Sequence, residues 1–281
     1  MSEGVKQMIT ASIFFSLMNL LVKFVPHIPA LELVFFRCLI SLIITLYLLR
    51  KAKVSIFGNN KKVLILRGVF GITALTMFFI TLQNMPMASA VTIQYLSPLF
   101  TSLFGITLLS EKVKSSQWLF FAISFVGVIV VKGFDSNISL LMFCFGLGGA
   151  IFSGLAYNCI RMLKSTDHPY VVVLYFPLIG LPITGVYSAM NWVMPTGYDW
   201  LYILGIGVFT QIAQIRMTKA LQSERIAKVS SVRYLGLFYA LFFGFVFFGE
   251  TYSWQSIIGM LLVILGVVFS LLTKKRKKSI G

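Results

Sequence analysis

Residues 85–131 read MPMASAVTIQYLSPLFTSLFGITLLSEKVKSSQWLFFAISFVGVIVV, and the chain repeats this stretch 139 positions later without a gap. Leu82–Gln83 falls on Leu221–Gln222, Tyr95–Leu96 on Tyr234–Leu235, Phe104–Gly105 on Phe243–Gly244, Glu111 on Glu250 and Gly127–Val128 on Gly266–Val267. Each copy is a long apolar segment, a glutamate at its end, a short polar turn and a second apolar segment. A period of this length means that one structural unit is used twice.

Working outward from the repeat, ten segments approach the roughly 20 apolar residues that a membrane crossing needs. They are Val5–Val25, Leu31–Leu49, Val63–Leu82, Ala88–Leu109 and Gln117–Val131, then Ile138–Met162, Tyr170–Met190, Trp200–Ala220, Ala227–Phe248 and Trp254–Thr273. The composition agrees, with 58% hydrophobic and 11% charged residues and a mean hydropathy of +0.91. A soluble domain carries roughly 25% charged residues. Backbone groups in lipid must be satisfied internally, and long unbroken apolar runs do this as helices rather than as barrel strands. The first apolar run has no A-x-A-like site after it and is expected to be retained.

A net charge of +16 in a soluble protein would point to nucleic acid. Here the bases sit at segment ends: Arg50, Lys51, Lys53, Lys61, Lys62 and Arg67 after span two, Lys112 and Lys114 after span four, Arg161 and Lys164 after span six. Lys219, Arg225 and Lys228 follow span eight, and Lys274–Lys278 form the tail. All fall on one face, which the positive-inside rule makes cytoplasmic. With five spans per half, the second half enters the bilayer upside down. The expected fold is an all-α membrane protein of ten transmembrane helices in two inverted five-helix repeats, 1–134 and 135–281, with both termini cytoplasmic. Inverted repeats that enclose a midplane site are a transporter design. Turn and cap residues fit: Asp135, Ser136 or Asn137 for span six and Ser253 for span ten.

These features resemble the drug/metabolite transporter superfamily, EamA type. Ala88, Tyr95-Leu-Ser-Pro98, Glu111 and Gly127 resemble that family's fourth and fifth helices. Asn19-Leu-Leu-Val-Lys23 and Phe36–Arg37 resemble its first and second, and Arg67-Gly68-Val-Phe-Gly71 with Leu82, Pro86 and Ala88 its third helix and exit turn. The likeness covers essentially the whole chain. It implies a cavity lined by helices one to four and six to nine, with five and ten outside. The second half departs, with Leu237 where Pro98 would map and Arg233 where Gln94 does.

Ionisable groups inside a span are functional hypotheses because each is costly there. Lys23 and Arg216 lie near span ends and are expected to snorkel. Arg37 is expected to pair with Glu32 or to cap carbonyls of a neighbouring helix. Arg233, beside Tyr234, is the sharpest candidate, because arginine holds carboxylates and phosphates bidentately. Gln94, Ser97 and Thr101 share one face of span four, beside Tyr95, and Gln211 and Gln214 one face of span eight. Asn19 in span one and Tyr157–Asn158 in span six lie at corresponding repeat positions. The candidate substrate-binding set is therefore Asn19, Arg37, Gln94, Tyr95, Ser97, Tyr157, Asn158, Gln211, Gln214, Arg233 and Tyr234. Pro98 should free a carbonyl in span four. Gly146, Gly149, Ala150, Ser153 and Gly154 in span six predict close helix contact. Gly205-Ile-Gly207 follows no strand and is not a nucleotide loop. Glu111 and Glu250 end their helices and are expected to cap, bond the turn or pair with a nearby lysine.

Cys38, Cys144 and Cys159 have no disulfide or metal spacing and are read as small core residues. No cofactor or metal is expected. No span interior offers the Asp, Glu or His of a proton relay. The leading reading is a secondary transporter, an exporter or exchanger, of small polar organic metabolites such as amino acids or carboxylates, multi-pass in the cell's inner membrane. Its partners are a small-molecule substrate and the lipid bilayer, with no nucleic acid, and a homodimer is allowed. The alternatives are a channel or scramblase-like pore and a membrane-embedded lipid-modifying enzyme, though no catalytic cluster supports the last.

Overall fold

The computed structural model describes residues 2–110, 115–134, 138–223 and 232–273. Among them are helices α1 (Glu3–Phe24), α2 (Ala30–Lys51), α3 (Lys61–Asn84), α4 (Met87–Gln94), α5 (Ser97–Leu108) and α6 (Ser115–Phe134). They continue as α7 (Leu140–Met162), α8 (Pro169–Met190), α9 (Asp199–Ser223), α10 (Leu235–Phe248) and α11 (Trp254–Thr273). No strand occurs among the described residues. Glu111, Lys112, Lys114, Asp135, Ser136, Asn137, Arg225, Lys228 and the basic tail lie outside them.

The helix ends follow local chemistry. Asn60 Oδ1 accepts from Val63 N to start α3, Ser139 Oγ accepts from Met142 N to start α7, and Ser253 Oγ accepts from Ser256 N to start α11. Pro29 and Pro86 stand just before α2 and α4. Glu3 opens α1 and Lys23 closes it, as the helix dipole favours. Gly249 ends α10 at a φ of +61°, a conformation that costs glycine nothing.

Seven spans are long and apolar enough to cross a membrane: α1, α2, α3, Met87–Leu108, Ser115–Gly133, Leu140–Ser165 and α8. α10 and the apolar part of α11 are shorter as described. α9 is 25 residues long but carries Gln211, Gln214, Arg216 and Lys219 and is not in that set.

Span four is not one helix. It breaks at Tyr95–Leu96 into α4 and α5. Pro98 has no N–H to offer Gln94 O, and its ring crowds that carbonyl. The break therefore falls one turn ahead of the proline, and the single polar face expected for Gln94, Ser97 and Thr101 is split. A matching turn occurs at Tyr234, although Leu237 stands where the proline would be. There Leu237 N donates to Tyr234 O instead of Arg233 O.

The packing respects the 139-residue shift. α1 packs on α9 and α3 on α7, contacts that exchange when the two halves are swapped; α2 packs on α8, α4 on α10 and α6 on α11. α6 and α11 run antiparallel: Gln117 Nε2 donates to Ser270 O and Ser124 Oγ to Val263 O, and a Cβ on Gly127 would lie 2.7 Å from Gly259 O. Ser124 and Val263 are themselves repeat mates. The small residues of α7 admit neighbours as expected, Gly146 against Ile93 and Gly154 against Phe100. Gly205 and Gly207 seat Leu21 and Ile40, a packing role. Cys38 and Cys159 are buried, but Cys144 is exposed on the outer face of α7, so it is not a core residue.

Candidate functional site

A cavity of about 110 Å³ opens at the centre of the bundle. Its wall draws on α1 (Ser16, Asn19), α2 (Arg37), α3 (Arg67, Gly71), α4 and its end (Gln94, Tyr95), α7 (Ser153, Tyr157), α8 (Phe176), α9 (Gln214) and the turn before α10 (Arg233, Gly236). α6 and α11 give nothing to it.

The two broken helices meet at the cavity. The rings of Tyr95 and Tyr234 cross edge to face with centroids 4.9 Å apart. The Tyr95 hydroxyl donates to Arg233 O at 2.8 Å. That carbonyl is the one released by the turn at Tyr234, so a side chain from the other half satisfies it. Gly236 is required for this approach, since a Cβ there would lie 2.2 Å from the Tyr95 hydroxyl oxygen. The Arg233 guanidinium lies 5.9 Å from the Tyr95 ring and 5.0 Å from the Tyr157 ring.

The second cationic position is Arg37 with Arg67, whose guanidinium carbons lie 4.6 and 5.3 Å from the Phe176 ring centroid. Each arginine is 2% exposed. Arg37 does not pair with Glu32, whose Oε2 accepts from Val193 N and so anchors the α8–α9 loop. Nor does it cap a neighbouring helix: Nε and Nη1 of both arginines have no hydrogen-bond partner among the described residues. Arg67 corrects its reading as a loop-edge cation. α3 starts at Lys61, which places Arg67 almost two turns inside the helix. Its signal in the sequence was Gly71, one turn later, where a Cβ would lie 2.2 Å from Arg67 Nη1.

The remaining candidates divide. Asn19 lines the cavity with Oδ1 unpartnered, Gln94 lines it while donating to Ser153 Oγ at 2.7 Å, and Gln214 lines it with Nε2 unpartnered. Ser97, Asn158, Gln211 and Tyr234 are buried outside its wall. Asn158 donates to Thr101 O and Gly154 O and accepts from Arg161. Gln211 donates to Thr45 Oγ1. No aspartate or glutamate lines the cavity among the described residues.

Two further expectations are corrected. Lys23 does not snorkel free: it forms an ion pair with Glu250 and donates to Met85 O at 3.0 Å. Glu250 also accepts from Met87 N and the Tyr252 hydroxyl, so it pairs with a lysine distant in sequence. Arg216 is exposed, as a snorkelling side chain should be, and donates to Gln7 Oε1.

Comparison with known proteins gives concordant results. The model of the EamA-like transporter family matches twice, over residues 2–133 and 140–272. The pseudopaline exporter CntI of Pseudomonas aeruginosa is 30% identical over 278 residues, 98% of each chain. Solute carrier family 35 member G1 of Homo sapiens is 29% identical, covering 93% of this chain and 76% of that one. The riboflavin transporter of Vibrio cholerae is 23% identical, covering 95% and 92%. A crystal structure with 19% identity superposes with a TM-score of 0.71, covering 98% of this chain and 99% of the other.

Proposed function

Because the chain belongs to the EamA-like transporter family, we propose that it moves a small organic anion, an amino acid or carboxylate, by alternating access around the central cavity. The observation that carries this is the charge of the wall: Arg37, Arg67 and Arg233 with no carboxylate among the described lining residues. Relatives named as transporters of different solutes support transport itself and leave the cargo to the cavity's chemistry.

The proposed frame is ten spans in two inverted halves, 1–134 and 135–281, with cytoplasmic termini. It is supported by the doubled family match, by packing that exchanges under the 139-residue shift and by the basic residues gathered on one face. Two such halves can swap conformations, turning an outward-open cavity into an inward-open one.

The test is flux into proteoliposomes of a panel of labelled amino acids and carboxylates. Arg233→Ala removes a charge-assisted contact and should lower flux of the anionic substrate by about 10- to 100-fold while the protein still folds. Normal flux in that variant would take Arg233 out of the site. Stimulation by counter-substrate identifies exchange, and its absence with unsaturable flux identifies a pore.

A further inference from the structure

This inference rests on the reading that the cavity holds an organic anion, and sharpens which anion. Buried guanidinium groups ordinarily face carboxylates. Arg37 and Arg67 instead face each other's charge across one ring, Phe176. Both are 2% exposed, and Nε and Nη1 of each lack a partner among the described residues. Glu32, little more than a turn before Arg37, bonds to Val193 N instead. Gly71 keeps the space open: a Cβ there would lie 2.2 Å from Arg67 Nη1 and 2.7 Å from Phe176 Cδ2. A guanidinium held over an aromatic ring leaves its N–H edge free for an oxyanion. Two like charges brought together without a counter-ion form a site that a bound anion completes.

Arg233 is a separate position in the same wall, resting on Tyr95 and Tyr157 rather than on Phe176. We propose that the substrate is an organic dianion of the dicarboxylate class, with its two oxyanion groups on separate carbons. One group sits on the Arg37–Arg67 pair and the other on Arg233. The unpartnered Asn19 Oδ1 and Gln214 Nε2 serve the polar groups between.

The experiment uses the full-length purified protein and its melting temperature at constant ionic strength. The probes are glutarate, butyrate, glutaramide and inorganic phosphate. A ligand that binds only the folded state raises the melting temperature. Glutarate should raise it by several degrees more than butyrate. Glutaramide has no charge, and phosphate carries its charges on one group, so neither should match glutarate.

In Arg67→Gln and Arg37→Gln the glutarate shift should fall to that of butyrate, while the butyrate shift, carried by Arg233, persists. Ligand-free, both variants should melt at or above the wild-type temperature, because no partner is lost; a purely structural pair would lower it. Arg67→Lys, which keeps the charge but not the planar fork, should lose most of glutarate's advantage and serves if a glutamine variant does not fold. Equal shifts for glutarate and butyrate, or an Arg67→Gln protein that keeps glutarate's advantage, would overturn the dianion assignment alone. If no carboxylate shifts the melting temperature while neutral metabolites do, the anion reading of the whole cavity falls with it.

Discussion

At the scale of single residues, the centre of the molecule turns on one hydroxyl. Tyr95 bonds the carbonyl of Arg233 in the other half, and Gly236 makes room for it. Gly236→Ala should force the Tyr95 side chain aside and destabilise by about 1–3 kcal/mol, the usual cost of overpacking. Tyr95→Phe leaves the Arg233 carbonyl orphaned and should cost about 1–3 kcal/mol. The double variant should lose much less than the sum, since the alanine no longer meets a hydroxyl. Thermal unfolding of the four proteins reads the coupling; strict additivity would refute it. Arg233 and Tyr95 were legible in the sequence because the repeat sets them apart from their mates, Gln94 and Tyr234. Arg67 was not. It continues a run of loop cations, and only the true start of α3 and the gap at Gly71 bring it inside.

At the scale of elements, Pro98 announced a disturbance in span four, and the chain breaks one turn before it. The matching turn at Tyr234 had no such signal, because Leu237 can continue a helix. That turn depends on a bond from Tyr95, made across the bundle. Helix starts are more local. His168 Nδ1 accepts from Tyr170 N at the start of α8. Burial first, and then the nearby Lys219 amine, hold the His168 pKa below its ordinary 6.5. The unfolded chain then binds the proton more readily, so stability is full above pH 6.5 and falls as the pH drops below it. The ring is exposed, so the loss should be at the low end for a cap, about 0.5 kcal/mol. Melting temperatures from pH 7.5 to 5 should show this decline, and His168→Asn, a cap without a proton to gain, should flatten it.

At the scale of the whole molecule, Glu250 ties three distant elements together. Its carboxylate takes Lys23 from the end of α1, Met87 N from the start of α4 and Tyr252 from the α10–α11 turn. The end of α10 therefore lies at the start of α4, and these helices run antiparallel. Under the alternating-access proposal these ends must part for the cavity to open on that side. Glu250→Gln should strand a part-buried lysine and cost about 3 kcal/mol. The exchange Lys23→Glu with Glu250→Lys should recover only part of that, because a lysine cannot accept from Met87 N. Calorimetry of the three variants, beside their flux, checks both parts. An unchanged Glu250→Gln protein would remove the tie from the stability of this state.

The sequence by itself determined that the chain is helical, lies in a membrane and is built twice over. Each of these depends on length, hydropathy and period, which are properties of the chain read along its own direction. The cap at Ser253 belongs with them. Tertiary structure decided which polar groups are left without partners. Asn19 and Asn158 are repeat mates, yet one faces the cavity and the other is held by Thr101, Gly154 and Arg161. Glu32 lies within reach of Arg37 in sequence but bonds to a loop 161 residues away. A buried charge takes its meaning from what surrounds it, and here those surroundings come from the opposite half of the chain.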